Sequence, residues 1–492
     1  MKAMRTCHYL ESSDREAVAK VIFYTACNEP LLFPEFTNPE KRAWQHFQQR
    51  TALEVAGPFR SELWSSTILQ LAQHIAPVKN ALLALSSLHE AYLSSRESQL
   101  LLKSFAMQYY NKAIQQLVKI CQTELSYDAL LLTCVMFCAI ESLCGNFFQS
   151  FQHARSGMQI IAQVHESSLP TNQQVTTIVP EVLAKSFLAL QSQVMELGNS
   201  SIFRISSSLS QDTKHIPDCF SSVEEALSWL EILINELLDI LDRFEEFYRT
   251  SQLLRTYDGD IPAVPGYYSF RLRLKLWDRG ITSIDDPLHT ADITQHRAYL
   301  ILKMHRFLID VLCETVFRGD DHFDSHSADL EAMLNLAEAF LETYHPVLGS
   351  WGEPTDDHIY AETHPMTMPP IFSMHMGIVP ILFLIAYRTK RPDLRNASLR
   401  LLRDCNRREG IWDSKWAYSL AKRIIMIKDS LPVAAEAHGP SWRVKVIEIG
   451  FRDALVVLRY AIVPAQGLHD ESTWQTGSPS NQQEYAEVIV SS

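Results

Sequence analysis

The tightest group of cysteines in the sequence is Cys134, Cys138 and Cys144. A four-residue step places the first two on one face of a helix, where thiolates can bind a metal ion or form a redox pair. Their neighbours, however, are leucine, valine, methionine, phenylalanine and isoleucine. Because an unpaired cysteine is itself among the most frequently buried residues, these surroundings favour core packing over a metal or redox site.

Two histidines lie near the starts of recognisable helical patterns. His89 and Glu90 match the first half of a zinc-protease helix, but Leu93 stands where the second histidine is required. His153 and Arg155 lie near a helix start, where such residues more often form local caps or pairs. Neither position predicts a catalytic metal.

The segment Ala361–Gly377 is rich in methionine and proline and contains two histidines, His364 and His375. A third, His358, lies just before it. No two of them have the spacing of a ligand pair on one helix or hairpin. Methionine-rich segments usually form adaptable core or partner surfaces, and we interpret this one in that way.

The motifs of the common catalytic folds are absent from the sequence. It contains no Walker loop, no dinucleotide-binding glycine fingerprint, no nucleophile elbow and no complete zinc-protease helix. We therefore expect neither catalytic residues nor a bound cofactor or metal, and no enzymatic activity.

One local excess of basic residues stands out. It could direct nuclear import or contact an acidic partner, or it could form the solvated faces of a helix pair, and we favour the helix pair. Its members are Arg388, Lys390, Arg391, Arg395, Arg400, Arg403, Arg407 and Arg408.

The overall composition is that of a folded, acidic protein. Of 492 residues, 47% are hydrophobic and 21% charged, which is enough apolar material for a large core. Only 16 residues are glycine, too few for many tight hairpins. The net charge of −13 argues against direct DNA binding, because phosphate contacts by basic residues supply most of that affinity.

The sequence also indicates a reducing compartment. No apolar leader follows Met1, and the most apolar run, Ile378–Tyr387, is too short to span a bilayer and contains Pro380. Nine cysteines are scattered without a disulfide framework's spacing. We therefore expect a location in the nucleus or cytoplasm and no membrane contact.

Helical periodicity dominates the chain and defines the elements that would position any site. Leu82, Leu85 and Leu88 recur at gaps of three, and a long apolar face follows a capping box at Ser222 and Glu225. The segment Trp442–Phe451 alternates in part, which indicates a short strand, with a helix as the alternative. The pattern predicts an all-α fold: a large irregular helical bundle, in one or two lobes, with little or no β-structure.

Breakers and composition divide the chain into three parts. Prolines interrupt residues 1–40, which we predict to be an irregular N-terminal segment. The helical patterns occupy residues 41–465, which we predict to form the helical core domain. Residues 466–492 are rich in serine, glutamine, glycine and glutamate, which predicts a disordered tail.

Four blocks of sequence carry a resemblance to a known family. Gln45–Leu93 contains an RTA stretch and a later ALLALSSLHEAYL helix, and Tyr109–Leu117 reads YYNKAIQQL. Leu130–Ile161 contains ESLCGN and HARSG, and Asn406–Ile425 begins NRREGIWDS. In this order the blocks resemble the fungal-specific transcription factor domain, the regulatory domain of zinc binuclear cluster transcription factors.

The blocks contain residues whose types suit structural roles. Gly145 and Asn146 tolerate the left-handed conformation that ends a helix. Gly410 precedes an aromatic residue and Asp413, a plausible helix N-cap. The residues that we expect to be structural markers of the family are Leu85, His89, Gly145, Asn146, Gly410 and Trp412.

The sequence departs from the family in one respect. The family carries six cysteines in two closely spaced sets ahead of this domain, whereas only Cys7 and Cys27 precede residue 100 here. The resemblance implies a nuclear regulator of a metabolic or secondary-metabolite gene set. Without the cluster we expect it to reach DNA only indirectly, through a transcription factor or the transcription machinery, with homo- or heterodimers as one form of contact.

Two alternatives remain open at this point. The helical domain could have been reused as a biosynthetic enzyme or small-molecule-binding protein, because a fold does not determine a function. Alternatively, an upstream exon could encode the zinc cluster of a complete transcription factor.

Overall fold

Helices dominate the structure, a computed structural model, and confirm the predicted fold class. The structure describes residues 36–94, 96–120, 127–167, 181–195, 197, 215–250, 265–284, 292–318, 320–344, 368–431, 442–452, 455–464 and 486–490. Within these ranges the helices bury one large apolar core that extends from the first helix to the last.

Fifteen α-helices follow one another along the described part of the chain. In the first half they are α1 (Asn38–His46), α2 (Ala52–Ala56), α3 (Ile68–His74), α4 (Ala76–Leu93), α5 (Arg96–Ile120), α6 (Tyr127–Cys144), α7 (Phe147–Ser167) and α8 (Glu181–Met195). In the second half they are α9 (Val223–Thr250), α10 (Tyr267–Ile281), α11 (Ile293–Arg318), α12 (Ser327–Glu342), α13 (Val379–Arg388), α14 (Pro392–Asp404) and α15 (Ser414–Asp429). Two π-helical turns, Phe47–Thr51 and Leu63–Thr67, flank α2, and a 3₁₀ turn, Asp320–His326, precedes α12.

Helix α9 begins where the sequence predicted a capping box. The backbone N–H of Glu225 donates to Ser222 Oγ over 3.2 Å, the first half of that box. The Glu225 carboxylate, however, accepts from the backbone and hydroxyl of Ser221, each at 2.7 Å, instead of from Ser222. The reciprocal hydrogen bonds of the cap therefore involve Ser221 as well as Ser222, one residue more than the spacing of Ser222 and Glu225 indicates.

Helix α6 lies at the centre of the core. By length and hydropathy alone it could cross a membrane, but 72% of it is buried inside the protein. It packs against α4, α7 and α8. A helix that is apolar on every side is what burial among other helices requires.

A small sheet of three strands joins distant parts of the chain. Strands β1 (Ile371–Ser373) and β2 (Arg407–Glu409) run parallel, and β3 (Trp412–Asp413) pairs antiparallel with β2. The two-residue connection Gly410–Ile411 closes the β2–β3 turn directly before α15. The fourth sequence block is thus a strand–turn–strand–helix unit.

A second sheet is formed by β4 (Trp442–Arg452), β5 (Leu455–Pro464) and β6 (Ala486–Val490), in that antiparallel order. The strand interpretation of Trp442–Phe451 is confirmed, and the strand continues to Arg452. The hairpin attaches to the bundle through Phe451, whose ring lies 5.6 Å from Phe147 and 5.8 Å from Trp416. Burial against these aromatic rings stabilises a strand pair that would be marginal alone.

The two ends of the chain are described only in part. Most of the predicted irregular segment 1–40 lies outside the described residues, and α1 starts at Asn38. The predicted tail also lies outside them as far as residue 485. Its segment Ala486–Val490 differs from the expectation, because it adds β6 to the exposed edge of β5.

Candidate functional site

The first sequence block is held together by His89, which is fully buried on α4. Its Nδ1 lies 3.2 Å from Thr51 Oγ1, in the RTA stretch, and its Nε2 lies 3.2 Å from Glu54 Oε2. His46 Nδ1 approaches the same Thr51 hydroxyl at 3.0 Å. These contacts join the two parts of the block, RTA and LHEAYL, across 38 residues.

A hydroxyl that contacts an imidazole, which in turn contacts a carboxylate, is also the arrangement of a hydrolytic triad, and Thr51, His89 and Glu54 have these groups. Here Thr51 and His89 are both completely buried, so a substrate carbonyl cannot approach the hydroxyl. Burial alone would raise the pKa of Glu54, but its contacts with His89 and Arg50 outweigh burial and lower that pKa. A charged Glu54 at neutral pH fixes the His89 ring, and the arrangement positions helices.

The corner between α6 and α7 is built on Glu141 and Asn146. Tyr110 donates its hydroxyl to Glu141 Oε1 over 2.7 Å, and the Asn146 amide donates to Glu141 Oε2 over 2.8 Å. The backbone N–H of Asn146 also bonds the Glu141 carbonyl at 2.9 Å. Between them Gly145 adopts φ 78°, the left-handed conformation that ends α6.

Arg408 connects this corner to the fourth block. Its Nη1 donates to the carbonyls of Ser142 and Leu143, over 2.8 and 2.9 Å, at the end of α6. Its Nε donates to Asp413 Oδ2 over 2.8 Å. Asp413 Oδ1 in turn caps α15 by accepting from the backbone of Lys415 at 2.8 Å. The Arg408 cation thus lies at the C-terminus of α6 and the Asp413 anion lies at the N-terminus of α15. Each charge has the sign that the helix dipole favours at that end.

Gly410 is required by both its conformation and its surroundings. It has φ 60°, and its N–H donates to the Ser373 carbonyl over 2.7 Å. A Cβ at this position would lie 2.0 Å from Oε1 of Gln193. Gln193 itself donates to the Met374 carbonyl over 3.0 Å, so it is fixed in place.

Arg407 points to the opposite side of β2 from Arg408 and forms a buried ion pair. Its Nε donates to Glu409 Oε1 over 2.7 Å, with 1% of each side chain exposed. Glu409 Oε2 also accepts from the first backbone N–H of α13, at Val379, over 2.9 Å. The guanidinium stacks over Phe340 and Tyr344, at 4.8 and 5.1 Å from the ring centres. The pair joins β2 to α12 and α13.

The basic stretch divides into a buried part and a solvated part. Beyond Arg407 and Arg408, three of its arginines make ion pairs on the outer faces of α12–α14, which supports the helix-pair interpretation. The pairs are Arg391 with Asp393 and Glu331, Arg400 with Glu338, and Arg403 with Asp404. Such exposed pairs contribute little to stability.

Trp412 and Leu85 lie deep in the core. The Trp412 indole is 2% exposed and stacks on Trp416 with ring centres 4.8 Å apart. The ring of Phe383 on α13 lies 5.5 Å away. Leu85 is completely buried on α4. Trp412 therefore anchors the β2–β3 turn between α13 and α15.

Two of the three grouped cysteines, Cys134 and Cys138, pack in the core as predicted, whereas Cys144 at the end of α6 is exposed. Cys138 lies 3.0 Å from Ser150 Oγ, and burial raises its pKa to about 12, so that it remains a thiol at neutral pH. Cys134 is also buried, on the same helix. No three His, Cys, Asp or Glu side chains come together as a metal site within the described ranges.

Of the three histidines in or near the methionine-rich segment, His375 lies within the described residues. His358 and His364 lie outside the described residues. His375 packs with its ring 5.9 Å from that of Phe59, and its Nδ1 lies 3.8 Å from Glu231 Oε1. Sequence reasoning missed Gln193, which no motif marks, and the pairing of Arg407 with Glu409, which the alternation of a short strand could have indicated.

Comparison with known proteins supports the family resemblance seen in the sequence. Residues 44–254 match the model of a family described as the fungal specific transcription factor domain. The chain is 23% identical over 472 residues to the Aspercryptin biosynthesis cluster-specific transcription regulator atnN of Emericella nidulans, covering 81% of this chain and 74% of the relative. No solved structure matches. The chain is thus similar to the fungal specific transcription factor domain over residues 44–254 and to a cluster-specific transcription regulator over most of its length.

Proposed function

We propose that the chain regulates a metabolic or secondary-metabolite gene set from the nucleus. The observation that carries this proposal is the likeness to atnN, a regulator specific for the aspercryptin biosynthesis cluster, over 81% of the present chain. The likeness extends beyond the family match at residues 44–254. A cluster-specific regulator acts on a defined group of genes, and we assign the same kind of target here.

The proposed route to the promoter is a protein partner. The chain has a net charge of −13, so bare phosphate contacts would supply little affinity. Its most basic stretch buries Arg407, uses Arg408 to hold the end of α6, and pairs Arg391, Arg400 and Arg403 with carboxylates. Exposed apolar helix faces are then the surfaces best suited to contact another activator or the transcription machinery.

A test in the source organism separates the gene-set proposal from its alternatives. Deleting the gene should change transcript levels of a restricted group of metabolic genes, and a fluorescent fusion should accumulate in the nucleus. A fusion excluded from the nucleus, together with unchanged transcripts, would contradict the regulatory function and favour a repurposed enzyme.

The fold-disrupting variant Gly410→Val is the matched control. The Cβ position of Gly410 lies 2.0 Å from Gln193, so the variant should not fold and should reproduce the deletion. The variant Leu53→Ser alters a leucine that is 62% exposed and should restore normal transcripts.

A further inference from the structure

Two arginines lie beside one aromatic ring just after α12. The guanidinium of Arg297, on α11, lies 3.6 Å from the ring centre of Tyr344. The guanidinium of Arg407, on β2, lies 5.1 Å from the same centre. Arg407 is buried, whereas Arg297 and Tyr344 are each partly exposed. Two cations from distant parts of the chain are therefore held close together at a place that solvent reaches.

Only one of these cations has a carboxylate partner within the described ranges. Arg407 pairs with Glu409. Arg297 instead donates from Nε to the Thr343 hydroxyl over 2.8 Å and from Nη2 to the Thr343 carbonyl over 2.5 Å, and both acceptors are neutral. Together Arg297, Arg407 and Glu409 carry two positive charges and one negative charge. A half-buried cation without an anion is costly, because part of its water shell is lost without compensation.

The surroundings of Arg297 show this cost. Burial lowers the pKa of Arg297, Tyr344 opposes the effect, and the charge of Arg407 lowers the pKa further. A guanidinium nonetheless stays protonated in proteins. Loss of a proton therefore does not relieve the like-charge contact between the two arginines, whereas a negative charge placed beside both of them would relieve it.

Arg407 also has a hydrogen-bond donor without an acceptor. Its Nη1 is buried and bonds to none of the residues that the structure describes, with 1% of the side chain exposed. The Nε of the same guanidinium already donates to Glu409 over 2.7 Å. A buried donor without an acceptor costs free energy, so Nη1 needs a further acceptor.

A carboxylate meets both requirements. It carries one negative charge, which balances the excess charge of the cluster, and its two oxygens can accept from guanidinium N–H groups. A phosphate would bring about two negative charges and leave the cluster negative. The rings of Phe340 and Tyr344 beside Arg407 suit the apolar part of an organic acid. We propose that Arg297 and Arg407 bind the carboxylate of a small organic acid beside Tyr344.

The position of this site gives the ligand a structural effect. Arg297 belongs to α11 and Arg407 to β2, and Glu409 also accepts from the first backbone N–H of α13. A bound carboxylate therefore joins α11 to the fourth sequence block. Binding here does not depend on which genes the protein regulates.

Ligand-observed NMR on the complete chain, with isotope-labelled acetate as the probe, tests the site. The expected result is saturable binding at one site, with a dissociation constant on the order of millimolar because acetate has so few atoms. Arg297→Gln should weaken binding roughly tenfold or more, since it removes the cation that has no carboxylate partner among the described residues. The glutamine amide can still donate to Thr343, and circular dichroism checks that the variant is folded.

The matched control is Arg400→Gln. The Arg400 side chain is 57% exposed and pairs with Glu338 on an outer helix face, so its loss should leave acetate binding unchanged. Absence of saturable acetate binding by the wild type would overturn the proposal, and so would equal binding by folded Arg297→Gln. Sodium chloride and sodium phosphate serve as competitors at constant ionic strength. If either displaces labelled acetate as well as unlabelled acetate does, the site accepts any anion and the choice of a carboxylate is wrong.

Discussion

Arg408 and Asp413 face each other across the β2–β3 turn, with 2.8 Å between Arg408 Nε and Asp413 Oδ2. Each residue also holds the end of a different helix: Arg408 bonds the last carbonyls of α6, and Asp413 caps α15. The third and fourth sequence blocks, 266 residues apart at this contact, are thereby joined by the hydrogen bonds from Arg408 to the carbonyls of α6. The fourth block is a structural joint between α6 and α15.

Replacing Asp413 should reveal both of its roles. Asp413→Ala removes the cap and the partner of Arg408 and should lower the free energy of unfolding by about 2–4 kcal/mol. Asp413→Asn keeps an oxygen that can cap α15, so this variant should lower the free energy of unfolding by about half as much. Chemical denaturation measures both. Equal losses for the two variants would show that the cap contributes nothing.

Two glycines with similar backbone conformations provide a matched comparison. Gly145→Ala should cost about 1 kcal/mol, because φ is positive but a Cβ meets nothing within 4 Å. Gly410→Ala should cost roughly 3 kcal/mol or more, since its Cβ would also collide with Gln193. Melting temperatures of the two variants should differ clearly. Similar values would contradict the close approach of Gln193 to Gly410.

Truncating Trp412 tests the aromatic anchor. Trp412→Ala should destabilise the fold by about 3–5 kcal/mol, because it removes a buried indole and leaves a cavity beside Trp416. Met426→Ala on α15 serves as the control, since Met426 is 58% exposed and should tolerate the change. Thermal unfolding that is unchanged in Trp412→Ala would place the indole at the surface.

Because His153 is mostly buried, we predict that the folded protein loses stability in mild acid. Burial lowers its pKa from 6.5 to about 4, so the folded chain keeps it neutral while the unfolded chain binds a proton. Its contribution should therefore be complete above pH 6.5 and decline as pH falls toward 4. In the variant His153→Gln, the urea concentration at the midpoint of unfolding should depend less on pH between 6.5 and 4. An identical decline in the variant would assign the acid sensitivity to other groups.

The helices were predictable because their apolar periodicity is local. In α15, Ala417, Leu420, Ile424 and Ile427 recur at gaps of three and four and are all buried. The strand β6 was not predictable, since a five-residue segment in a polar tail forms a strand only by adding to the edge of β5. Its stability is a tertiary effect.

The site was predictable only in part. Gly410 and Asp413 could be interpreted from their types, as a turn and a cap. The pairing of Arg407 with Glu409 follows the alternation of a strand, but the burial of the pair against α13 depends on residues far away in sequence. The role of Arg408 could not be predicted, because the carbonyl of Ser142 that it bonds lies 266 residues away. The sequence places both in one basic stretch, whereas the fold buries one and uses the other to join two helices.

The most direct test of regulation through a partner is a gel-shift assay on promoters whose transcripts change when the gene is deleted. The purified chain alone should bind them weakly and without sequence preference, because it is acidic overall. Adding nuclear extract should produce a specific complex that an antibody against the chain shifts further. Tight, sequence-specific binding by the purified chain alone would contradict the partner route.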